Sequence, residues 1–79
     1  SFDLTSLAYY PNPVVDQLTI TYNREITSIE IYDLKGQLIK VVKPRSQEVQ
    51  VNMTELSTAM YIVRVYAEDK SAEIKIFKK

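Results

Sequence analysis

The chain has 79 residues, of which 46% are hydrophobic and 25% are charged, and it contains no cysteine, histidine or tryptophan. A chain of this length has room for one hydrophobic core, so the sequence predicts a single domain spanning residues 1–79. Without histidine or cysteine, the usual zinc sites, catalytic triads and redox centres lose their residues. The composition therefore favours a binding or structural role over catalysis, with no metal and no cofactor.

Ten acidic and ten basic side chains balance each other. This balance argues against a nucleic-acid-binding protein, because neutralising phosphates requires a basic excess. Residues 35–45 nevertheless carry four cations and no acid, and residues 70–79 carry four lysines and one glutamate. Such lysines either keep sheet edges from pairing with other chains or take part in recognition. No apolar run approaches the roughly 20 residues of a membrane span, so we expect no direct membrane insertion.

The chain begins at Ser1 rather than at methionine, so we expect it to be part of a longer protein with any targeting signal upstream. Residues 1–8 are either a linker remnant or part of an edge strand, in which residues 7–10 would pair with the sheet. Tyr10-Pro11-Asn12-Pro13 follows. Because proline lacks the backbone donor of a sheet ladder and favours extended geometry in the preceding residue, this segment is predicted to be a turn.

Apolar and polar residues then alternate with a period of two, which is typical of strands with one buried face. We predict strands at residues 18–22 and 29–31, joined by a short hairpin at Asn23-Arg24-Glu25. In residues 38–42 the pattern allows either face to be buried. We prefer Ile39 and Val41 as the buried pair, because Lys40 then stays in water.

Further strands are predicted at residues 49–53, at 60–66 in a central position and at 71–77. Asp33-Leu34-Lys35-Gly36 is predicted to be a turn, because Asp33 can accept from the backbone two residues on and Gly36 can take a positive φ. Two further connections are predicted at Pro44-Arg45-Ser46 and Glu68-Asp69-Lys70. Residues 54–59 are long enough for only one short helical turn.

The strands from Leu18 onward number six, with a seventh at the N-terminal edge, and their spacing favours an all-β, immunoglobulin-like antiparallel β-sandwich. The segment from Leu56 to Tyr61 resembles a corner in which a tyrosine near a strand start bonds back to upstream backbone. Tyr22 and Tyr61 fall on apolar faces and are predicted to lie in the core. The other tyrosines support an alternative function, an adhesion or carbohydrate-binding module, whose contact residues would be Tyr9, Tyr10, Tyr32 and Tyr66.

Taken in order, these motifs resemble the C-terminal sorting domain of the type IX secretion system of Bacteroidota. The resemblance covers residues 9–79 and lies in an opening Tyr10-Pro11-Asn12-Pro13, a central strand and turn at 29–37, a late strand pair at 51–65 and a lysine-bearing end at 75–79. One position departs from the family pattern, since Ala59 stands where the family usually has glycine. Alanine there is costly if the position needs a positive φ and harmless if the backbone is extended.

The resemblance implies a sorting signal carried at the C-terminus of a secreted passenger protein. The passenger would cross the periplasm in transit, and the translocon in the outer membrane would recognise the folded domain. A cell-surface sortase would then remove the domain, which leaves the passenger at the cell surface or outside the cell.

Within that role, the C-terminal strand is the candidate for recognition. It would either add to a partner sheet by main-chain pairing or present Lys75, Lys78 and Lys79 to an acidic groove. The partner-recognition candidates are Lys75, Ile76, Phe77, Lys78 and Lys79. The residues interpreted as fold determinants are Pro11, Asn12, Pro13, Asp33, Gly36, Leu56 and Tyr61.

Overall fold

A computed structural model describes residues 2–79, and six β-strands account for most of them. A single 3-10 turn, Leu4–Ser6, precedes the strands, and none of the described residues forms a helix long and apolar enough to cross a bilayer. The strands are β1 (Ala8–Tyr10), β2 (Gln17–Tyr32), β3 (Leu38–Val42), β4 (Ser46–Asn52), β5 (Ala59–Ala67) and β6 (Lys70–Lys78). The predicted all-β class is confirmed, with six strands in place of about seven.

The strand count differs because the strands predicted at residues 18–22 and 29–31 are one continuous strand. β2 runs for 16 residues through Asn23, Arg24 and Glu25, so the predicted hairpin there is wrong. These three side chains are exposed, whereas Ile26 beyond them is fully buried. The polar run marks the place where the strand passes between layers and both of its faces meet solvent. A shift of register between Ile26 and Ser28 changes which alternate positions of β2 face the core in the second half of the strand.

The long β2 strand connects two layers of an antiparallel sandwich. Its first half pairs with β1 and β4, and its second half pairs with β3 and β5, which in turn pairs with β6. β3 and β4 follow one another along the same side of β2. The sheet is therefore a single curled ribbon whose two halves face each other, and strands that bend between layers commonly form such corners.

The core lies between the two layers and forms one apolar cluster. The first layer contributes residues such as Leu18, Ile20 and Val51, and the second contributes residues such as Ile31 and Val63, all at most 1% exposed. Each lies at one of the alternate strand positions whose side chains point toward the core. The predicted core positions of Tyr22 and Tyr61 are confirmed, since these rings are 8% and 4% exposed.

In β3 the prediction of which side chains are buried is wrong. Ile39 and Val41 are exposed, whereas Lys40 and Val42 are half-buried and face inward. The Lys40 ammonium donates to the backbone carbonyl of Asn52 at 2.7 Å, so the charge has a partner at the end of its apolar stem. An inward lysine is acceptable because its stem packs while its head stays hydrogen-bonded.

The N-terminal segment packs against the first layer. Phe2 stacks on Tyr22 with ring centroids 4.4 Å apart, and the Tyr22 hydroxyl accepts from the Asp3 backbone N–H. The hydroxyls of Thr5 and Ser6 donate to the Asp3 carboxylate, and these bonds hold its pKa below the ordinary value. Of the two alternatives for residues 1–8, the structure places an edge strand at Ala8–Tyr10, preceded by a packed turn; Ser1 lies outside the described residues.

Candidate functional site

The turn between β2 and β3 forms as its residues predict. The Asp33 carboxylate accepts from the backbone N–H groups of Lys35 and Gln37, each at 2.9 Å. Gly36 has a φ of 87° and donates its N–H to the Asp33 carbonyl. Asp33 and Gly36 thus lie in the turn that closes the hairpin before β3, and their role as fold determinants stays a prediction.

The predicted tyrosine corner is also confirmed. The Tyr61 hydroxyl, near the start of β5, donates to the Ser57 carbonyl at 2.8 Å. Leu56 packs against the core and donates its N–H to the Met53 carbonyl, so residues 54–58 form a turn and not a helix, and Ala59 begins β5. Ala59 has no positive φ and pairs with Lys78 as an ordinary strand residue, so alanine is harmless there.

The Tyr10-Pro11-Asn12-Pro13 segment lies against the outer edge of β6. The Asn12 side chain accepts from the Phe77 N–H at 3.0 Å and donates to the Lys75 carbonyl at 3.3 Å. Val14 continues the contact, since its N–H donates to the Phe77 carbonyl and its carbonyl accepts from the Lys79 N–H, both at 2.8 Å. We call Asn12 and Val14 together the edge cap, because they occupy the edge of β6 that faces away from β5.

The partner-recognition candidates divide between the two faces of β6. Ile76 is fully buried, and Lys78 is also buried, at 7% exposed. The Lys78 ammonium donates to the Lys79 carbonyl at 3.1 Å. Lys75 and Lys79 are exposed and Phe77 is half-buried on the outer face. The folded strand therefore presents Lys75, Phe77 and Lys79, while Lys78 is turned toward the interior.

The edge cap also determines which backbone groups of β6 are free. It pairs with the carbonyls and N–H groups of residues 75–79 that point away from β5. Within residues 2–79, β5 is the only strand that pairs with the earlier part of β6. Main-chain addition of a partner strand at this edge is therefore limited to residues 71–75 while the cap is in place.

A polar network covers the outer face of the second layer. The hydroxyls of Tyr32 and Tyr66 donate to the Glu30 carboxylate at 2.6 and 3.0 Å, and Arg64 forms an ion pair with Glu73. The Tyr32 bond, with a smaller contribution from Tyr66 and nearby cations, holds the pKa of Glu30 below its ordinary value. The same bond raises the pKa of Tyr32. These groups bind one another and leave few free donors for an outside ligand.

The tyrosines of the alternative function do not form one surface. Tyr9 and Tyr10 are exposed on β1, which pairs with the first half of β2. Tyr32 and Tyr66 lie on the second half of the ribbon, and their hydroxyls are already bonded to Glu30. No group of three or more potential metal ligands occurs among the residues that the structure describes.

Two contacts at the edge of β6 do not follow from the sequence. The sequence predicts Asn12 to be a fold determinant without indicating a partner strand, and it assigns Val14 no role. The available signal was an asparagine between two prolines, since the prolines cannot donate and leave the amide as the one versatile hydrogen-bonding group of the segment. That signal does not identify the partner strand, which lies 65 residues away at Phe77.

Comparison with known proteins agrees with this architecture. A family model described as a secretion system C-terminal sorting domain, a family defined by sorting and not by catalysis, matches residues 8–79. Ulvan lyase NLR42 of Nonlabens ulvanivorans is 34% identical over 71 residues, which are 87% of this chain and 13% of the lyase.

A solved structure of PorZ, described as an essential surface component of the type IX secretion system of Porphyromonas gingivalis, matches with a TM-score of 0.76 and 26% identity. The match covers 96% of this chain and 12% of the PorZ chain. The chain thus spans about an eighth of the length of each of these two proteins. It belongs to the secretion system C-terminal sorting domain family and is a sorting signal for the type IX secretion system.

Proposed function

We propose that the type IX export machinery recognises the folded β6 strand through side chains on its outer face. One observation carries this proposal: the edge cap occupies the outward backbone of residues 75–79, while Lys75, Phe77 and Lys79 remain accessible. Of the two modes expected from the sequence, side-chain presentation thus needs no rearrangement, and strand addition over residues 75–79 requires the cap to open.

The three accessible side chains suggest the chemistry of the partner. Two exposed lysines, Lys75 in β6 and Lys79 just beyond its end, lie two residues before and after the half-buried Phe77. Met60 lies opposite Phe77 in β5 and enlarges the apolar centre. A groove with carboxylates on both sides of an apolar floor would complement this surface, since charge complementarity sets orientation and rate of association.

In this proposal the domain acts on a passenger protein joined to its N-terminal side. The passenger passes through the periplasm, the translocon binds β6, and a cell-surface sortase removes the domain after export. The packed segment from Phe2 to Ser6 contacts the first layer at Tyr22, and the proposed recognition residues lie on β6 and at its end in the second layer.

The test joins residues 1–79 to a signal-peptide-bearing reporter in cells with a type IX system and measures the exported reporter. We expect the double substitution Lys75→Glu and Lys79→Glu to lower export at least tenfold. The matched control is Arg24→Glu with Lys70→Glu, which changes the net charge equally at exposed positions outside residues 35–45 and 75–79. Equal export from the two double variants would overturn the proposal, provided that both purified domains unfold at the same temperature as the parent.

A second arm separates side-chain recognition from strand addition. Asn12→Ala removes both side-chain bonds to β6 and so frees the edge at Lys75 and Phe77. Side-chain recognition predicts no gain in export. A clear gain would show that the machinery pairs with the exposed strand edge, and it would contradict recognition of the closed form.

A further inference from the structure

A second surface, separate from β6, has the properties of a binding edge. β3 lies at the other side of the second layer, and within residues 2–79 its only paired neighbour is β2. Eight large apolar side chains are exposed in the described chain, and half of them lie on β3 or in the turn before it: Leu34, Leu38, Ile39 and Val41. Exposed apolar residues on an unpaired edge strand favour association with another chain.

β3 is short and has a shift of register at one end, and its remaining protection is the inward-pointing Lys40. An inward-pointing lysine protects an edge by placing a charge where a partner strand would bury it. The Lys40 ammonium, however, is bonded to the Asn52 carbonyl of β4 and is drawn back toward the protein. By contrast, β4, which also has an unpaired side, turns Val49 and Val51 inward and exposes polar side chains such as Gln50.

The charge around β3 indicates what would bind there. Residues 35–45 carry Lys35, Lys40, Lys43 and Arg45 and no acid. The two ion pairs found among the described residues, Arg24–Glu68 and Arg64–Glu73, involve none of these cations. The carboxylates of Asp33 and Glu30 accept hydrogen bonds from neutral donors and keep their charge, and Glu30 faces Lys43. Lys35, Lys40 and Arg45 form no ion pair within the described residues, so the positive charge of this segment is only partly balanced.

We propose that β3 is a docking edge for an extended acidic segment of a partner protein, which adds to the sheet by main-chain pairing. Alternate apolar side chains of that segment would cover Ile39 and Val41, and its carboxylates would meet the surrounding cations. A second copy of this chain is disfavoured as the occupant, because pairing β3 with β3 would bring two sets of four cations together.

A surface depression beside the start of β3 offers a place for one side chain of the partner. It has a volume of about 290 Å³ and lies between the β2–β3 turn and the beginning of β5. Leu34, Ile39 and Met60 give it an apolar lining, which Lys35 and Asp33 complete with one charge of each sign. An apolar side chain of the partner would match this lining.

The test is a titration of the isotopically labelled 79-residue chain with a ten-residue peptide of alternating glutamate and valine, followed by NMR. We expect shifts and slowed amide exchange confined to residues 34–43 and to residues 57–61, which also line the depression, with affinity that falls at least tenfold from 50 to 500 mM salt. We expect Lys43→Glu to weaken binding about fivefold. The matched control Lys70→Glu, an equal charge change at an exposed position of β6, should leave binding unchanged.

Three comparisons can overturn the proposal. A peptide of alternating lysine and valine that binds equally well would remove the role of charge. A glutamate and proline peptide that binds equally well would exclude main-chain pairing, because proline cannot donate to a ladder. Shifts at residues 71–75 would show that the peptide binds β6 instead of β3. Concentration-dependent self-association through β3 would show that a second copy of the chain occupies this edge. None of these outcomes depends on export, so they leave the sorting function independently testable.

Discussion

The two edges of the second layer are protected in opposite ways. At β6, Asn12 and Val14 come from the far end of the sequence and occupy the backbone of residues 75–79. At β3, the described chain provides no such cover, and apolar side chains face solvent. One sheet therefore has a closed edge that offers side chains and an open edge that offers backbone. Strand position alone therefore does not determine how an edge can bind.

The largest expected effect is at the buried part of the edge cap. Val14 is fully buried, and Val14→Ala should lower the free energy of unfolding by about 2 kcal/mol through lost burial and a small cavity. Urea unfolding measures this change. Val15→Ala is the control, because Val15 is 52% exposed and should change stability by less than about 0.5 kcal/mol. Equal effects at the two positions would mean that Val14 does not fix the β6 edge.

A smaller effect is expected from the polar part of the cap. Asn12→Ala removes the two side-chain bonds to β6 and should cost about 1 kcal/mol. The amide of Phe77 should then exchange with solvent about fivefold faster, while amides of residues 38–42 keep their rates. Asn23→Ala, at an exposed position of β2, serves as the control. Unchanged exchange at Phe77 would contradict the role of Asn12 as an edge cap.

Local patterns predicted the parts of the fold that depend on neighbours in sequence. The Asp33 to Gly36 turn, the β5–β6 hairpin at Glu68 and the Tyr61 corner all involve partners a few residues apart. The continuity of β2 was missed for a physical reason. Three consecutive polar residues are typical of a turn, and they also suit a strand crossing between layers, where neither face is buried.

The candidate site was harder to predict, because its bonds join the two ends of the chain. No local pattern connects Asn12 with Phe77, which is 65 residues away. Lys78 is buried at the alternate position that follows Ile74 and Ile76, whereas its charge favours the exposed position predicted from the sequence. Likewise, the inward position of Lys40 depends on Asn52, whose carbonyl becomes available only when β4 pairs with β2.

A pH effect is expected at the centre of the face between the two edges. Hydrogen bonding holds the pKa of Glu30 below its ordinary value of 4.5, so the ionised form stabilises the fold above that value. This contribution is lost as the pH falls through the lower, folded-state pKa. Glu30→Gln should therefore lose less stability than the parent chain on acidification, measured by thermal unfolding.

The control for this effect is Glu25→Gln, at an exposed position of the same strand. Groups that face Glu30 also include Arg64 and Lys43, whose positive charges favour the ionised carboxylate. Asp3, whose pKa is also lowered, supplies a pH dependence that both variants share with the parent. An identical acid response in Glu30→Gln and the parent would show that the network with Tyr32 does not depend on the carboxylate charge.

The smallest effect on stability is expected at the open edge. Val41 is 43% exposed on β3, and Val41→Thr keeps the branched side chain that strands favour, so stability should change by less than about 0.5 kcal/mol. The matched buried change, Val63→Thr in β5, should cost about 1–3 kcal/mol because it buries a hydroxyl. A loss above about 1 kcal/mol at Val41 would mean that β3 is covered in solution, and unfolding measured at several protein concentrations would then show whether a second copy covers it.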